Sequence, residues 1–460
     1  MKRRNFIKAA GCTGMGYLTL FNSAINLKAM GLAALDNSGL TDDYKALVCI
    51  LLAGGNDSYN MLIPLDNEEY RDYATTRSNM ALDRSEMITL NPNNTDGRTY
   101  GLHPSMTEIE DLFASGECTF INNVGTLVAP TSKADYMRGS ARVPLGLFSH
   151  GDQENQWQSG LTTERSITGW GGRIADLLKD QAGNDKISMT LSLGGNNLFQ
   201  QGVEAFPFTL NQHSGSDLLW AYDRDNPWNL ESQAIKSLIY HNYEDAFKKT
   251  YVDVISNAQE SGEILLDAYA QRDRFNDHFD DNHLARSLRM IANVIASRKV
   301  LGVKRQIFFA TMGGFDYHDE LFNNQARDLS TVSRAIGAFQ AAMKELGVSN
   351  QVTSFTISDF ARTLTSNGNG TDHAWGASSL VVGGAVRGNK FYGQYPSLKL
   401  DGDLDVGNGI ILPTTSTDEY FAELALWFGV SPGELSTVFP SLNNFYDYQT
   451  GTAPLGFLQI

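Results

Sequence analysis

The chain has 460 residues, 42% of them apolar and 19% charged, the composition of a globular protein with a sizeable core. Its formal charge is −16 and no Lys/Arg cluster follows the first residues, so the basic footprint of a nucleic-acid binder is missing and no nucleic-acid partner is expected. The cysteines, Cys12, Cys49 and Cys118, are too few and too scattered for a zinc-type cluster.

The N-terminus reads MKRRNFIKAAGCTGMGYLTLFNSA. Arg3-Arg4, then Asn5, Phe6, Ile7 and Lys8, then a modestly apolar stretch resemble a twin-arginine export signal. An amphipathic N-terminal helix is the alternative. Small residues near Ala24 or Ala33 suit cleavage. Residues 1–33 hold five basic side chains and no acid, so their removal takes the charge from −16 to −21. The expectation is a signal over 1–33 and a single mature domain over 34–460, exported folded to the periplasm or beyond. No other run of 18 apolar residues follows, so no transmembrane span is expected after processing.

Short apolar runs at 46–52, 118–124, 187–193, 306–310, 352–357 and 379–382 are bounded by Gly, Asn or Asp and read as buried, parallel-type strands. Helical patterns lie between them. One spans 104–115, opening on Pro104 and stopping at Gly116; another spans 328–346 and stops at Gly347; a third covers 418–428. From about 227 to 299 strand signals vanish, and the pattern predicts a helical insert packed on the sheet domain. Strands alternating with helices predict an α/β fold, a three-layer sandwich around a mainly parallel sheet. Cys49 and Cys118 fall in or beside strands and read as buried free thiols, with a disulfide between them as the alternative.

Ligands of parallel α/β sheets bind beyond the carboxyl ends of strands. Three polar clusters hold that kind of position. GGNDS carries Asp57 and Ser58. FATMGGFDYHDE carries Asp316 and His318. FTISDFARTLTSNGNGTDHAWG carries Asp359, Asp372 and His373. Together the four acids and two histidines form a ligand set for one or two divalent cations. Singly, each has a structural reading: a turn, a helix N-cap, a satisfied histidine. In LFSHGDQENQWQSG, Ser149 and His150 open a polar helix, where free amides and the helix dipole suit an oxyanion or an activated nucleophile, or simply a serine cap.

LLAGGNDSYNMLIP, YGLHPSM, INNVGTLVAPT, LFSHGDQENQWQ, TGWGGRIADLL, GGFDYHDE, SDFARTLTSNGNGTDHAWG and VVGGAVRGNKFYG stand in the order that resembles domain of unknown function family 1501. That family is grouped with the alkaline-phosphatase-like superfamily of phosphatases, sulfatases and phosphomutases. The resemblance implies that fold over nearly the whole mature chain. It implies Asp57 as the metal-binding acid after the first strand and Ser149 as the nucleophile, with Ser58 as a rival. It implies Asp316 and His318 as one metal pair, Asp359 as the acid of a second, and His373 as the final histidine. Arg362, Asn123 and Asn367 fall near enough to these motifs to bind oxyanion oxygens. Two departures stand out. Only one residue separates Asp316 from His318, and Phe360 occupies the second pair's histidine position, for which Asp372 or His150 is a substitute. Fewer histidines favour a harder ion, so the cofactor is expected among Zn, Mn, Mg and Ca.

The implied activity is that of an exported metal-dependent hydrolase of phosphate or sulfate esters, acting on a small-molecule or glycan ester. The alternative is a catalytically degenerate exported protein that binds a partner protein or a glycan at the cell envelope. An oxidoreductase has no GxGxxG, cysteine or haem motif to support it.

Overall fold

The computed structural model describes residues 43–460 apart from 95, 181–186, 217, 220–221, 227, 271–274, 276 and 451, so the expected signal lies outside the described residues. Nine strands form the main sheet. They are β1 (Lys45–Leu52), β2 (Cys118–Gly125), β3 (Thr190–Ser192), β4 (Phe208–Thr209), β5 (Arg305–Met312), β6 (Val352–Ser358), β7 (Ala377–Val382), β8 (Phe391–Tyr392) and β9 (Thr415–Ser416). Their order is β8-β2-β7-β6-β1-β5-β3-β4, with β9 also paired to β2. Only β7 runs antiparallel to its neighbours; every other pairing is parallel. All six predicted strands are present, although the run at 187–193 keeps only three residues in the ladder.

The principal helices are α1 (Thr107–Ala114), α2 (His150–Ser159), α3 (Trp170–Leu178), α4 (Leu230–Ile239), α5 (Ala246–Ala270), α6 (His283–Ala296), α7 (Leu321–Glu345) and α8 (Thr417–Phe428). Strand β1 shows why the layers form. Successive side chains point to opposite faces, and both faces are apolar. Ala46, Val48, Ile50 and Leu52 enter one core with α1, α6 and α7, while Leu47, Cys49 and Leu51 enter the other with α3 and α8. The result is the expected three-layer α/β sandwich. Helix α8 starts cleanly because Ser416 and Glu419 form a capping box.

Trp157, Trp170 and Trp375 are each at most 1% exposed and serve packing. Cys49 and Cys118 are free and buried, and they belong to different cores, so the disulfide alternative is not realised. Besides the main sheet, Leu62–Pro64, Ile88–Leu90 and Tyr100–Leu102 form a small antiparallel sheet, and Arg362–Ser366 pairs with Thr371–His373 as a hairpin.

Asp418, in the first turn of α8, is fully buried, and neither carboxylate oxygen has a hydrogen-bond partner among the described residues. Desolvation, then the neighbouring Glu419, push its pKa up to about 7. The folded chain therefore keeps a proton that the unfolded chain releases near pH ~4. That contribution is complete below pH ~4 and is lost as pH rises through about 7, at no more than ~1.4 kcal/mol per pH unit. Asp418→Asn should flatten this part of the urea-unfolding profile and raise stability at pH 8. A variant profile parallel to the parent's would contradict the burial argument.

Candidate metal centre

Strands β6, β1 and β5 are adjacent and parallel at the middle of the sheet, so the loops leaving their carboxyl ends meet. The loop after β1 carries Gly54, that after β5 carries Asp316 and His318, and Asp359 directly follows β6. Close approach sets the residue type at Gly54. Its φ is +118°, and a Cβ there would lie 2.5 Å from the Asp316 nitrogen. The Gly54 N–H donates to Asp359 Oδ1 at 3.0 Å. The Arg362–His373 hairpin folds back over these loops and supplies Asp372 and His373. Helix α2 brings His150 from the other side.

Three imidazoles converge on one carboxylate oxygen. Asp316 Oδ1 lies 3.1 Å from His318 Nε2, 3.6 Å from His373 Nε2 and 3.7 Å from His150 Nε2. His318 Nε2 and His373 Nε2 are 3.0 Å apart. Each ring is held at its other nitrogen. His150 Nδ1 faces Asp359 Oδ2 at 2.6 Å, His318 Nδ1 faces Asp372 Oδ1 at 3.1 Å, and His373 Nδ1 faces the Phe148 carbonyl at 2.9 Å. A carboxylate or carbonyl there accepts, so each neutral ring carries its hydrogen on Nδ1 and turns the Nε2 lone pair inward. Arg362 Nη1, 3.4 Å from His318 Nε2, reinforces the acceptor role of that nitrogen.

Lone pairs so close repel one another unless a proton or a cation lies between them. Donors ~2.0–2.1 Å from a tetrahedral ion are ~3.3 Å from each other, which is the spacing seen around Asp316. The ligating atoms of His150, Asp316 and His373 all lie within 4.8 Å of one another. Protonation states agree. Burial alone would raise the Asp316 carboxyl, but the Arg362 guanidinium and the nearby histidines outweigh it and hold the group below its ordinary value. Burial lowers His373, and Arg362, His150 and His318 lower it further against the Phe148 hydrogen bond. Both shifts favour the ionised acid and the neutral ring, the forms that bind metal. The donor set therefore fits a divalent ion, within the range of Zn, Mn, Mg and Ca expected from the sequence.

Other expected site residues are placed differently. The Asp57 carboxylate is fully buried and ion-paired with Arg77, with Thr371 Oγ1 at 3.4 Å. It is thus engaged at the strand tip and does not face the imidazoles. Ser58 is buried and accepts from the Ser378 N–H at 2.9 Å, so this rival nucleophile is closed to solvent. Asn123 is buried, and its Nδ2 donates to Leu412 O and Thr414 Oγ1. Arg362 is 0% exposed; its N–H groups donate to Gly54 O, Gly55 O, Thr371 O and Phe315 O and to Asp316. Burial thus corrects the expectation that Asn123 and Arg362 bind substrate oxygens. Asn367 sits on the hairpin turn and donates to Asp372 Oδ1 and His318 O, so it steadies a ring anchor.

Ser149 is exposed at the N-cap of α2, next to His150, and its hydroxyl bonds Asp152. The preceding Phe148 has φ +72°, a strained value for an aromatic residue, and its carbonyl is the one that anchors His373. Phe360 packs on both His150 and His373, with ring centroids 4.7 and 4.4 Å away. The sequence carried no signal for the roles of Phe148 and Arg77. A backbone carbonyl acceptor has no residue signature, and Arg77 lies at the end of an ordinary surface-type helical pattern.

No curated protein matches the sequence. Similar solved structures include the PsFucS1 sulfatase from Pseudoalteromonas sp., 11% identical, covering 88% of this chain and 72% of that one with a TM-score of 0.35. The soluble domain of lipooligosaccharide phosphoethanolamine transferase A from Neisseria meningitidis is 8% identical, with coverages of 91% and 94% and a TM-score of 0.31. A mutant of the alkaline phosphatase PafA is 12% identical, with coverages of 70% and 63% and a TM-score of 0.28. At these scores the likenesses carry no argument about the reaction. The family described as "Protein of unknown function (DUF1501)" matches residues 44–407, and the chain belongs to that family.

Proposed function

We propose that the chain is an exported, metal-dependent hydrolase of phosphate or sulfate esters. The observation that carries this reading is the convergence of His150, His318 and His373 on Asp316 Oδ1, each ring anchored at Nδ1. Outer partners of this kind orient metal-binding imidazoles and raise their basicity. In this reading the four residues hold one divalent ion, with Asp359, Asp372 and the Phe148 carbonyl as ring anchors. The bound ion would supply Lewis acidity at an ester oxygen. Ser149, exposed at the positive end of α2 beside His150, is the candidate nucleophile. Export rests on the sequence of residues 1–33. In keeping with it, no helix among the described residues is long and apolar enough to cross a membrane.

The second reading, a non-catalytic envelope protein that binds a partner or glycan, has Phe360 in its favour, because an apolar ring fills a place where the superfamily pattern has a ligand.

Purified without chelator or His-tag, the mature chain should hold about one divalent ion by plasma mass spectrometry, and His373→Ala should lose it. Asp372→Asn removes only the anchor of His318 and should weaken metal affinity by ~10–100-fold. A folded protein that takes up no ion even after reconstitution would overturn the hydrolase reading in favour of the second.

On a chromogenic phosphate or sulfate ester, Ser149→Ala should lower kcat by roughly 10²-fold or more while leaving metal content unchanged. Full activity in that variant would move the attack from Ser149 to water. Ser58→Ala should leave turnover within about twofold of the parent, since a buried hydroxyl cannot reach substrate.

A further inference from the structure

Beside the cluster, between α2 and the carboxyl ends of β1 and β5, lies a cavity of about 430 Å³. Gly151, the residue after His150, opens its wall, and Glu154 and Gln158 continue it along α2. Glu154 lies four positions after His150 on α2, so the two share a helix face. Leu51 and Phe309 add an apolar floor, and Asn196 stands on the loop after β3. Among the described residues, no lysine, arginine or histidine lines the cavity.

The chemistry of this lining is selective. Glu154 Oε1 accepts from Gln158 Nε2 at 2.8 Å, and Oε2 takes no hydrogen bond among the described residues. The Asn196 side chain is exposed and likewise takes none there. Burial, then the Asp359 charge, push the Glu154 carboxyl above its ordinary value, and the Gln158 hydrogen bond and His150 oppose this. Hydroxyl groups suit such a space: they donate to Glu154, accept from the Asn196 amide, and leave an apolar C–H face for Phe309 and Leu51. A carboxylate or a second phosphate there would meet Glu154 with no cationic side chain in the described lining to balance it.

We infer that this cavity is a subsite for an uncharged, polyhydroxylated group of the hexose type, and that Glu154 keeps acidic groups out of it. That the hexose bears the ester cleaved at the cluster rests on the proposed hydrolase reading; the binding and the charge selection do not.

Ligand-observed NMR on the mature chain tests this, with methyl glucoside and methyl galactoside as neutral probes and the matching methyl uronosides as acidic ones. A neutral glycoside should bind at least about tenfold more tightly than its uronoside, and Glu154→Gln should narrow that ratio to within about threefold. Gly151 lines the cavity, and a Cβ there meets nothing within 4 Å, so Gly151→Phe has room to form without disturbing the fold; it should abolish the glycoside signal while circular dichroism shows an intact fold. His318→Ala should lose metal yet still bind the neutral glycoside, which separates failure of the metal reading from failure of this one. No signal from any probe, equal binding of neutral and acidic probes, an unchanged ratio in Glu154→Gln, or undiminished binding in Gly151→Phe would each overturn the inference.

Discussion

The Arg362 guanidinium, sealed under the loops at the centre of the sheet, is the contact on which the site depends. Its donors reach Gly54 O and Gly55 O after β1, Phe315 O and Asp316 after β5, and Thr371 O on the hairpin. Four carbonyls and one carboxylate from three separate segments are thereby fixed to one planar fork. A buried cation needs such a full set of partners, because a missing one would leave charge unsatisfied in a dry environment. The same demand sets the position of Asp316, and Asp316 is the point on which the three imidazoles converge. Arg362 is therefore a brace: it acts through Asp316 and the loop backbones.

Around that brace the histidines are held by partners of graded strength. His150 rests on Asp359, which is 3% exposed and is itself fixed by the Gly54 N–H. His373 rests on a carbonyl whose residue, Phe148, is locked at positive φ just ahead of α2. His318 rests on the exposed Asp372, steadied by Asn367 from the hairpin turn. Two rings have rigid supports and one has a support open to solvent, so His318 is the ring with most freedom to move.

Much of this was legible in the sequence, and the rest fails for physical reasons. Apolar runs followed by Gly-Gly-x-Asp or Ser-Asp marked β1, β5 and β6, and parallel strands bring their ends together, so Asp316, His318, Asp359 and His373 could be grouped from the one-dimensional pattern. The antiparallel direction of β7 could not be read, because a strand buried on both faces shows no alternation. Asp57 was misleading for a different reason. A carboxylate at a strand tip looks the same whether it holds an ion or an arginine, and Arg77 arrives from a helix twenty residues downstream. The helix start at Ser149 was visible, but the chemistry of its neighbour His150 depends on Asp359, 209 residues away.

In the proposed reading, Phe360 and Arg77 favour one ion over two. The sequence motifs held acids and histidines enough for one or two. Here Asp57 is neutralised permanently by Arg77, and Asp359 is occupied by His150 and the Gly54 N–H. Phe360, 1% exposed, lies at 33° to the His373 ring with centroids 4.4 Å apart, so an apolar face covers that ring. The ligating atoms of His150, Asp316 and His373 remain within 4.8 Å of one another, and in the proposed reading they, with His318, would hold a single ion.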